Sequence, residues 1–594
     1  MATALETASL VMVPSGYEDG TLGSLQPLDG TGDFTFTRGS NISATRVNED
    51  GYIEKGYENL LLRSNTFDTT WASVRVSEST GFAGYDGADN AWKIVPNTQL
   101  GDHRLDQSTS VSGVWTFNIY AKAAGYNFLY ILFSGIGNSG KVIDISPNQG
   151  VVVDNKGGVQ AIDESITDVG NDWWKITLTY SGTLGTLRII TLPANDTSSY
   201  AGDGTSGILI QDAQVNQGLV AYPYLETTTT TAKGGILEDM PRLNYSSGRC
   251  SLLLEPSRTN LIVQSEYFGS GWQSNQTTIT SNTHISPEGV LNASTIADTN
   301  TTDVEEIQYR FSPVAGASYA LSLFIKKDED TTRFPEFFFR NYNGGTEESI
   351  VVRLNTQTGE KYDRAIAGSP TSNVINFSDD YWRLIITLTE SNTGNNQLRL
   401  YIRPAAASTI DGPNSNLATG SIVAYGLQLE QDATYPTSYI PTYGVSQTRL
   451  KDALVGTGAQ SNGLLGTDSG TIFIDATHLA TSNDTSSWSF VNASNTQQFR
   501  VGSGASFFFI SDRVHSQGDL IIYETTYKAA IRYSPSGLEV FVNGVKDTSS
   551  FANGDYTIDR LNYSGIGGRK MDFNQLLYFP TTLSDEACIE LTTI

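Results

Sequence analysis

The sequence predicts an all-β protein made of serial β-sandwiches, and three observations carry that expectation. Apolar and polar residues alternate with period two along many short runs, the pattern of half-buried strands. The composition sets 57 glycines against 18 prolines, with abundant Thr, Ser and Asn between the runs, which suits strands joined by tight turns. A long stretch also recurs in the same internal order, far beyond any solenoid period, and so marks a duplicated domain. At 594 residues the chain exceeds what one core can organise.

The duplication is read residue by residue. NLLLRSNTFDTTW, from Asn59 to Trp71, matches NLIVQSEYFGSGW, from Asn260 to Trp272: Asn59, Ser64, Phe67 and Trp71 share their offsets with Asn260, Ser265, Phe268 and Trp272. WTFNIYAK ending at Lys122 faces YALSLFIK ending at Lys326. DWWKITLTY then places Trp174, Ile176, Leu178 and Tyr180 on one face, and DYWRLIITL does the same with Trp382, Leu384, Ile386 and Leu388. Each copy closes on a Gln-rich strand and a Tyr-Pro turn, from Gln214 and from Gln428. The implied organisation is an attachment segment 1–58 without a core of its own, a first sandwich 59–226, a linker 227–258, a second sandwich 259–452, and a distinct unit 453–594. In that last unit Asn543-Gly544 after an alternating run predicts a hairpin, and Ser584 is the candidate N-cap of a short terminal helix.

The two copies resemble the jelly-roll fold of carbohydrate-binding modules, in which a tryptophan-bearing strand packs into the core. GTIFIDATHL, YKAAIRYSPSGLEVFVNGVKD and FNQLLYFPTTLSDEACIEL in the last unit resemble a concanavalin A-like, laminin-G-type sandwich. Three further blocks, FTFTRGSNISATRVNEDGYIEKG (34–56), PRLNYSSGRCSLLLEPSRTNLI (241–262) and YPTSYIPTYGVSQTRLKD (435–452), resemble runs recurrent in bacteriophage virion proteins. In that resemblance the first two blocks lie close together, and here the first sandwich is inserted between them. The resemblance implies a virion structural protein: a head or tail fibre or appendage on the virion surface, assembled in the bacterial host cytoplasm. Its implied partners are further copies of itself, with a trimer favoured, other virion proteins, and host cell-surface glycan.

Several classes are set aside. A net charge of −26 repels nucleic acid and anionic membrane surfaces, and no apolar run is long enough to cross a bilayer. The N-terminus has no basic n-region, so no secretory signal is read. Two cysteines, Cys250 and Cys588, make no disulfide framework, and four histidines lack ligand spacing. No cofactor is expected; the acidic loops 48–51 and 327–330 leave a structural calcium open beside an ordinary turn role. No closely spaced carboxylate run occurs in 453–594 and no nucleophile elbow precedes a helix, so the chain reads as a non-enzyme. A polysaccharide depolymerase with ancillary binding modules is the alternative, and a bacterial surface adhesin a weaker one. For glycan binding the ligand-binding candidates are Trp173, Tyr381 and Trp488, with Trp92 behind them, because sugar rings stack on exposed aromatics. Trp173 and Tyr381 stand at equivalent positions on the face opposite the core. The competing reading packs both beneath a neighbouring strand or subunit.

Overall fold

The structure, a computed structural model, describes residues 4–40, 42–303, 305–390, 394–478, 487–494, 497–502, 508–510, 513–515, 526–547, 557–564 and 570–594. Strands dominate it, and among the described residues the helices are the short segments Ala4–Thr7 and Asp585–Thr592. The all-β expectation holds.

Both jelly rolls have the same strand order. In the first, one sheet runs Asp163–Asp168, Trp174–Ser181, Val114–Ala124, Gly207–Gln217, Ala91–Pro96, Val76–Phe82. In the second, its counterpart runs Thr371–Asn376, Tyr381–Thr389, Ser318–Lys326, Gly420–Gln431, Leu291–Asp298, Thr278–Ile285. The facing sheets correspond equally, six strands each, and every pairing is antiparallel. Trp115, Phe117, Ile176 and Leu178 fill the first core, and Leu321, Leu323, Leu384 and Ile386 the second.

The shared sequence offsets have a physical cause. Asn59 is buried, donates to Ala213 O at 3.3 Å and Leu225 O at 2.8 Å, and accepts from Leu61 N and Val215 N. Asn260 donates to Leu427 O and Ile440 O and accepts from Ile262 N and Leu429 N. One amide therefore ties the entry of each sandwich to its exit, and no apolar residue could serve, because four backbone groups would be stranded. The Ser64 hydroxyl meets the Tyr224 hydroxyl at 2.7 Å, as Ser265 meets Tyr439 at 2.6 Å. Phe67 and Trp71 pack with centroids 5.2 Å apart at 50°, and Phe268 and Trp272 at 5.2 Å and 49°.

The third sandwich corrects the expected boundaries. Its sheets draw on three separate stretches of chain, not on 453–594 alone. Leu10–Met12 and Ser251–Leu254 both pair with Met571–Phe579, and Phe34–Thr37 pairs with Ala453–Gly456. Leu10, Met12, Leu22, Phe34, Phe36, Leu252 and Leu254 all lie in its core. Residues 10–37 belong to this core, so 1–58 is not structurally separate from 453–594, and 227–258 is not merely a linker. Local expectations here hold: Asn543 and Gly544 adopt φ of 50° and 80° between paired strands, and Ser584 Oγ accepts from Ala587 N at 3.2 Å.

The first jelly roll is inserted through a narrow neck, where Tyr57–Asn59 pairs with Ala232–Gly234 in a sheet of their own. It touches the second jelly roll closely at Gly113, whose φ is +92° and where any Cβ would fall 1.3 Å from Tyr443 O. Only glycine fits there.

Candidate functional site

The three sequence blocks 34–56, 241–262 and 435–452 meet in space. Arg242 Nη1 lies 2.9 Å from Glu255 Oε2, Arg449 Nη1 reaches the same oxygen at 2.9 Å, and Arg38 Nη1 lies 3.4 Å from Asp452, which Arg242 also grips; all these side chains are fully buried. Burial works to raise the Glu255 carboxyl, and Arg449 and Arg242 outweigh it and hold it well below the usual range. Ser438 N and Oγ donate to Glu255 at 2.8 and 2.6 Å. Charges this deep persist only when paired and hydrogen-bonded. Next to this hub, Lys55 is buried against Glu266 at 2.7 Å and Glu288, under the rings of Tyr222 and Tyr443.

Beside the hub opens a cleft of about 690 Å³. The hairpin of Thr45–Val47 and Ile53–Lys55 forms one wall, held by Thr45 Oγ1 donating to Tyr439 O at 2.6 Å and Ile53 N donating to Pro287 O at 2.7 Å. Tyr245 and its neighbours extend that wall, since Tyr245 N donates to Val47 O at 2.9 Å. The opposite wall is the second jelly roll: Phe324, Tyr381 and Arg383 from its sheet, and the turn from Asn376 to Asp380. Lys570 of the third sandwich closes a side.

The lining combines three chemistries. Tyr52 stands at the mouth, 46% exposed, with its ring resting over Gly289. Phe377 packs edge-on to Phe324 at 4.8 Å. Asp50, Asp379, Asp380 and Asn376 are exposed acceptors around the rim. Arg383 stacks its guanidinium 5.3 Å over Phe324 and donates through Nη2 to Ser322 Oγ at 3.0 Å and Thr437 O at 2.8 Å. Its Nε is enclosed and has no hydrogen-bond partner. Burial lowers its basicity, against the pull of Glu430 and Glu255 farther off. Such a lining is suited to a polyhydroxylated ligand: rings for its apolar faces, carboxylates and amides for its hydroxyls, and one guanidinium at depth.

The aromatic candidates fare differently from expectation. Trp173, Tyr381 and Trp488 are 1%, 2% and 0% exposed, so none offers an open face to a sugar. Trp488 packs on Tyr563 and Phe573 within the third core, and Trp92 is buried beside Phe67, donating to Asn65 O at 3.0 Å. Trp173 lies edge-on beneath Tyr85, which stacks on Tyr120 at 3.7 Å and 8° and donates to Asp212 at 2.9 Å. Burial pushes the Asp212 carboxyl up to about 6. Tyr381 alone reaches the cleft, as part of its wall, with its hydroxyl given to Ile285 O at 2.7 Å. The same sheet face is thus plugged by Tyr85 in the first copy and covered in the second by the hairpin that carries Ile53, with the cleft opening beside it. Sequence reading missed Tyr52 and Arg383; the signals were a tyrosine inside the 34–56 block and a basic residue on the strand face opposite the core.

Among the described residues no three metal-ligating groups converge, and Asp328 and Asp330 of the 327–330 loop are turned to Arg333, at 2.5 and 3.5 Å. No described helix is long and apolar enough to cross a membrane.

No family model matches this sequence, and no curated protein does. Among solved structures the chain is similar to the tandem CBM22 domains at the N-terminus of Paenibacillus barcinonensis Xyn10C, at 12% identity and a TM-score of 0.20, over 64% of this chain and 98% of that one. It is similar to Trypanosoma rangeli sialidase in complex with sialic acid, at 10% identity and 0.21, over 94% and 97%. It is similar also to the LG1–3 region of the laminin α2 chain, at 10% identity and 0.15, over 80% and 98%. Scores this low add nothing on function, and the assignment of all-β sandwiches rests on the chain's own sheets.

Proposed function

We propose that the protein is a non-catalytic, glycan-binding component of a virion appendage, and that the cleft beside the hub holds the glycan. One observation carries this reading: the three blocks that resemble virion proteins, far apart in sequence, converge to line a single cleft whose rings, carboxylates and deep Arg383 guanidinium suit a sugar. The buried hub that fixes the walls makes the cleft pre-organised, which lowers the entropy cost of binding.

The test uses the full-length protein, polysaccharide extracted from candidate bacterial hosts, and the Tyr52→Ala variant, with polymer length followed over time. Removing one exposed stacking ring is expected to weaken binding by about fivefold to tenfold, roughly 1 kcal/mol, with Tm unchanged because the ring is half in solvent. Shortening of the polymer would sink the non-catalytic reading, and undiminished binding by the variant would remove the cleft from the function. Detection of the chain in purified phage particles by mass spectrometry tests the virion assignment separately.

A further inference from the structure

The other sheet of the second jelly roll carries an arrangement that folding alone does not call for. Register sets Arg310 opposite Arg399, and Arg399 opposite Arg340 on the next strand. Alternation sends Ile307, Leu398, Leu400 and Phe339 into the core, so all three arginines stand on the outer face. Like charges directly opposite one another in an antiparallel sheet repel. Among the described residues, only Arg340 of the three has a carboxylate in contact, Glu347 at 2.7 Å.

Arg310 and Arg399 instead meet only neutral acceptors among the described residues: Arg399 donates through Nη2 to Gln397 Oε1 and through Nη1 to the Tyr401 hydroxyl at 3.2 Å, and both arginines share Gln308. Gln308 Oε1 takes Arg310 Nε at 3.3 Å, Arg310 Nη2 at 3.3 Å and Arg399 Nη1 at 3.4 Å. Arg399 Nε is enclosed without a partner. Long bonds from two cations to a single amide oxygen mark a place where an anion binds better. Half-buried rings flank it: Tyr342 lies 4.0 Å from the Arg340 guanidinium and 5.1 Å from that of Arg399, and Phe338 stacks on Tyr401 at 5.5 Å.

We propose that this face binds an acidic polysaccharide. Its carboxylate or sulfate groups sit between Arg310 and Arg399, and its sugar rings lie along Phe338 and Tyr342. Three guanidinium positions on adjacent strands span roughly 10 Å, a spacing that suits a chain of repeating charges better than a single small anion. The −26 charge of the whole chain does not forbid this, because at physiological salt fields decay over about 8 Å and the row acts locally. The site is independent of the cleft and stands or falls separately from it.

Binding of dextran sulfate and polygalacturonate, with neutral dextran as control, is measured on the full-length protein by calorimetry across a salt series. Both acidic polymers are expected to bind more weakly as salt rises. The Arg310→Gln/Arg399→Gln double variant should lose affinity by at least about tenfold, while Lys451→Gln, an exposed charge elsewhere, changes nothing. Gln308→Glu supplies the missing anion from within the chain, so it should raise Tm while reducing polymer binding. Wild-type affinity in the double variant, an equal loss in Lys451→Gln, a fall in Tm for Gln308→Glu, or tighter binding of a DNA oligonucleotide than of dextran sulfate would each overturn the proposal.

Discussion

Lys55 places a full positive charge where there is almost no water, and two carboxylates, Glu266 and Glu288, keep it there. Burial raises the Glu266 carboxyl, against Lys55, which lowers it. Lys55→Met would leave both acids facing one another with no cation, and a loss of about 3–5 kcal/mol in denaturant titration is expected. Adding Glu266→Gln and Glu288→Gln in the same chain should recover much of it; no recovery would mean that packing, not charge, is what the lysine provides. Asp212 predicts a pH dependence of opposite sense to the usual carboxylate. Its folded value of about 6 lies above the ordinary 3.8, so the native state holds the proton more tightly and ionisation disfavours the fold. Stability of the first jelly roll should therefore fall as pH rises from about 4 to about 6 and level off above. Asp212→Asn should flatten that slope and melt higher at pH 7, and an unchanged slope in the variant would clear Asp212 of the effect. Alternation had assigned the faces of Trp173 and Tyr381 correctly, as opposite to Trp174 and Leu384. What it could not read was cover, because the residues over them, Tyr85 and the hub hairpin, come from elsewhere in the chain.

At the scale of elements, the duplication was legible because its offsets are set by local stapling. Asn59 and Asn260 each serve four backbone groups, so the residue type at that offset is dictated in both copies. The Asn543-Gly544 hairpin and the Ser584 cap were legible for the same reason: each depends on neighbours a few residues away. The third sandwich was not legible as a whole. A strand as short as Leu10–Met12 shows that it is apolar, but nothing in it names Met571–Phe579 as its partner. The cleft was hidden more deeply still, since the hairpin around Tyr52, the turn at Tyr245, the Asn376–Asp380 turn and Lys570 share no local pattern. The arginines of the three blocks could be quoted from the sequence; that they neutralise Glu255 and Asp452 in one buried hub needed the fold.

At the scale of the molecule, this weaving makes two truncations of very different size behave in an unexpected order. Removing only residues 1–40 takes Leu10, Met12, Leu22, Phe34 and Phe36 out of the third core and strips the strands Leu10–Met12 and Phe34–Thr37 from its two sheets. Five buried apolar side chains at roughly 1.5–3 kcal/mol each exceed what one domain's stability can absorb. It also removes Arg38 from Asp452. Excising 60–231 is a far larger cut, yet it severs the chain at a neck whose ends are already paired, Asn59 with Ala232. Directly opposed Cα atoms in an antiparallel pair lie about 4.5–5.5 Å apart, so an Asn-Gly turn can rejoin them. The expected cost is the contact surface of the first jelly roll: Asn282 loses Asp163 and Leu219 O, and Lys55 loses the Tyr222 ring. Calorimetry should therefore show the excised chain keeping the transitions of the second jelly roll and the third sandwich, whereas the 1–40 deletion loses the third sandwich's transition. If the excised chain loses that transition too, the first jelly roll is a structural part of the hub and not an insertion carried upon it.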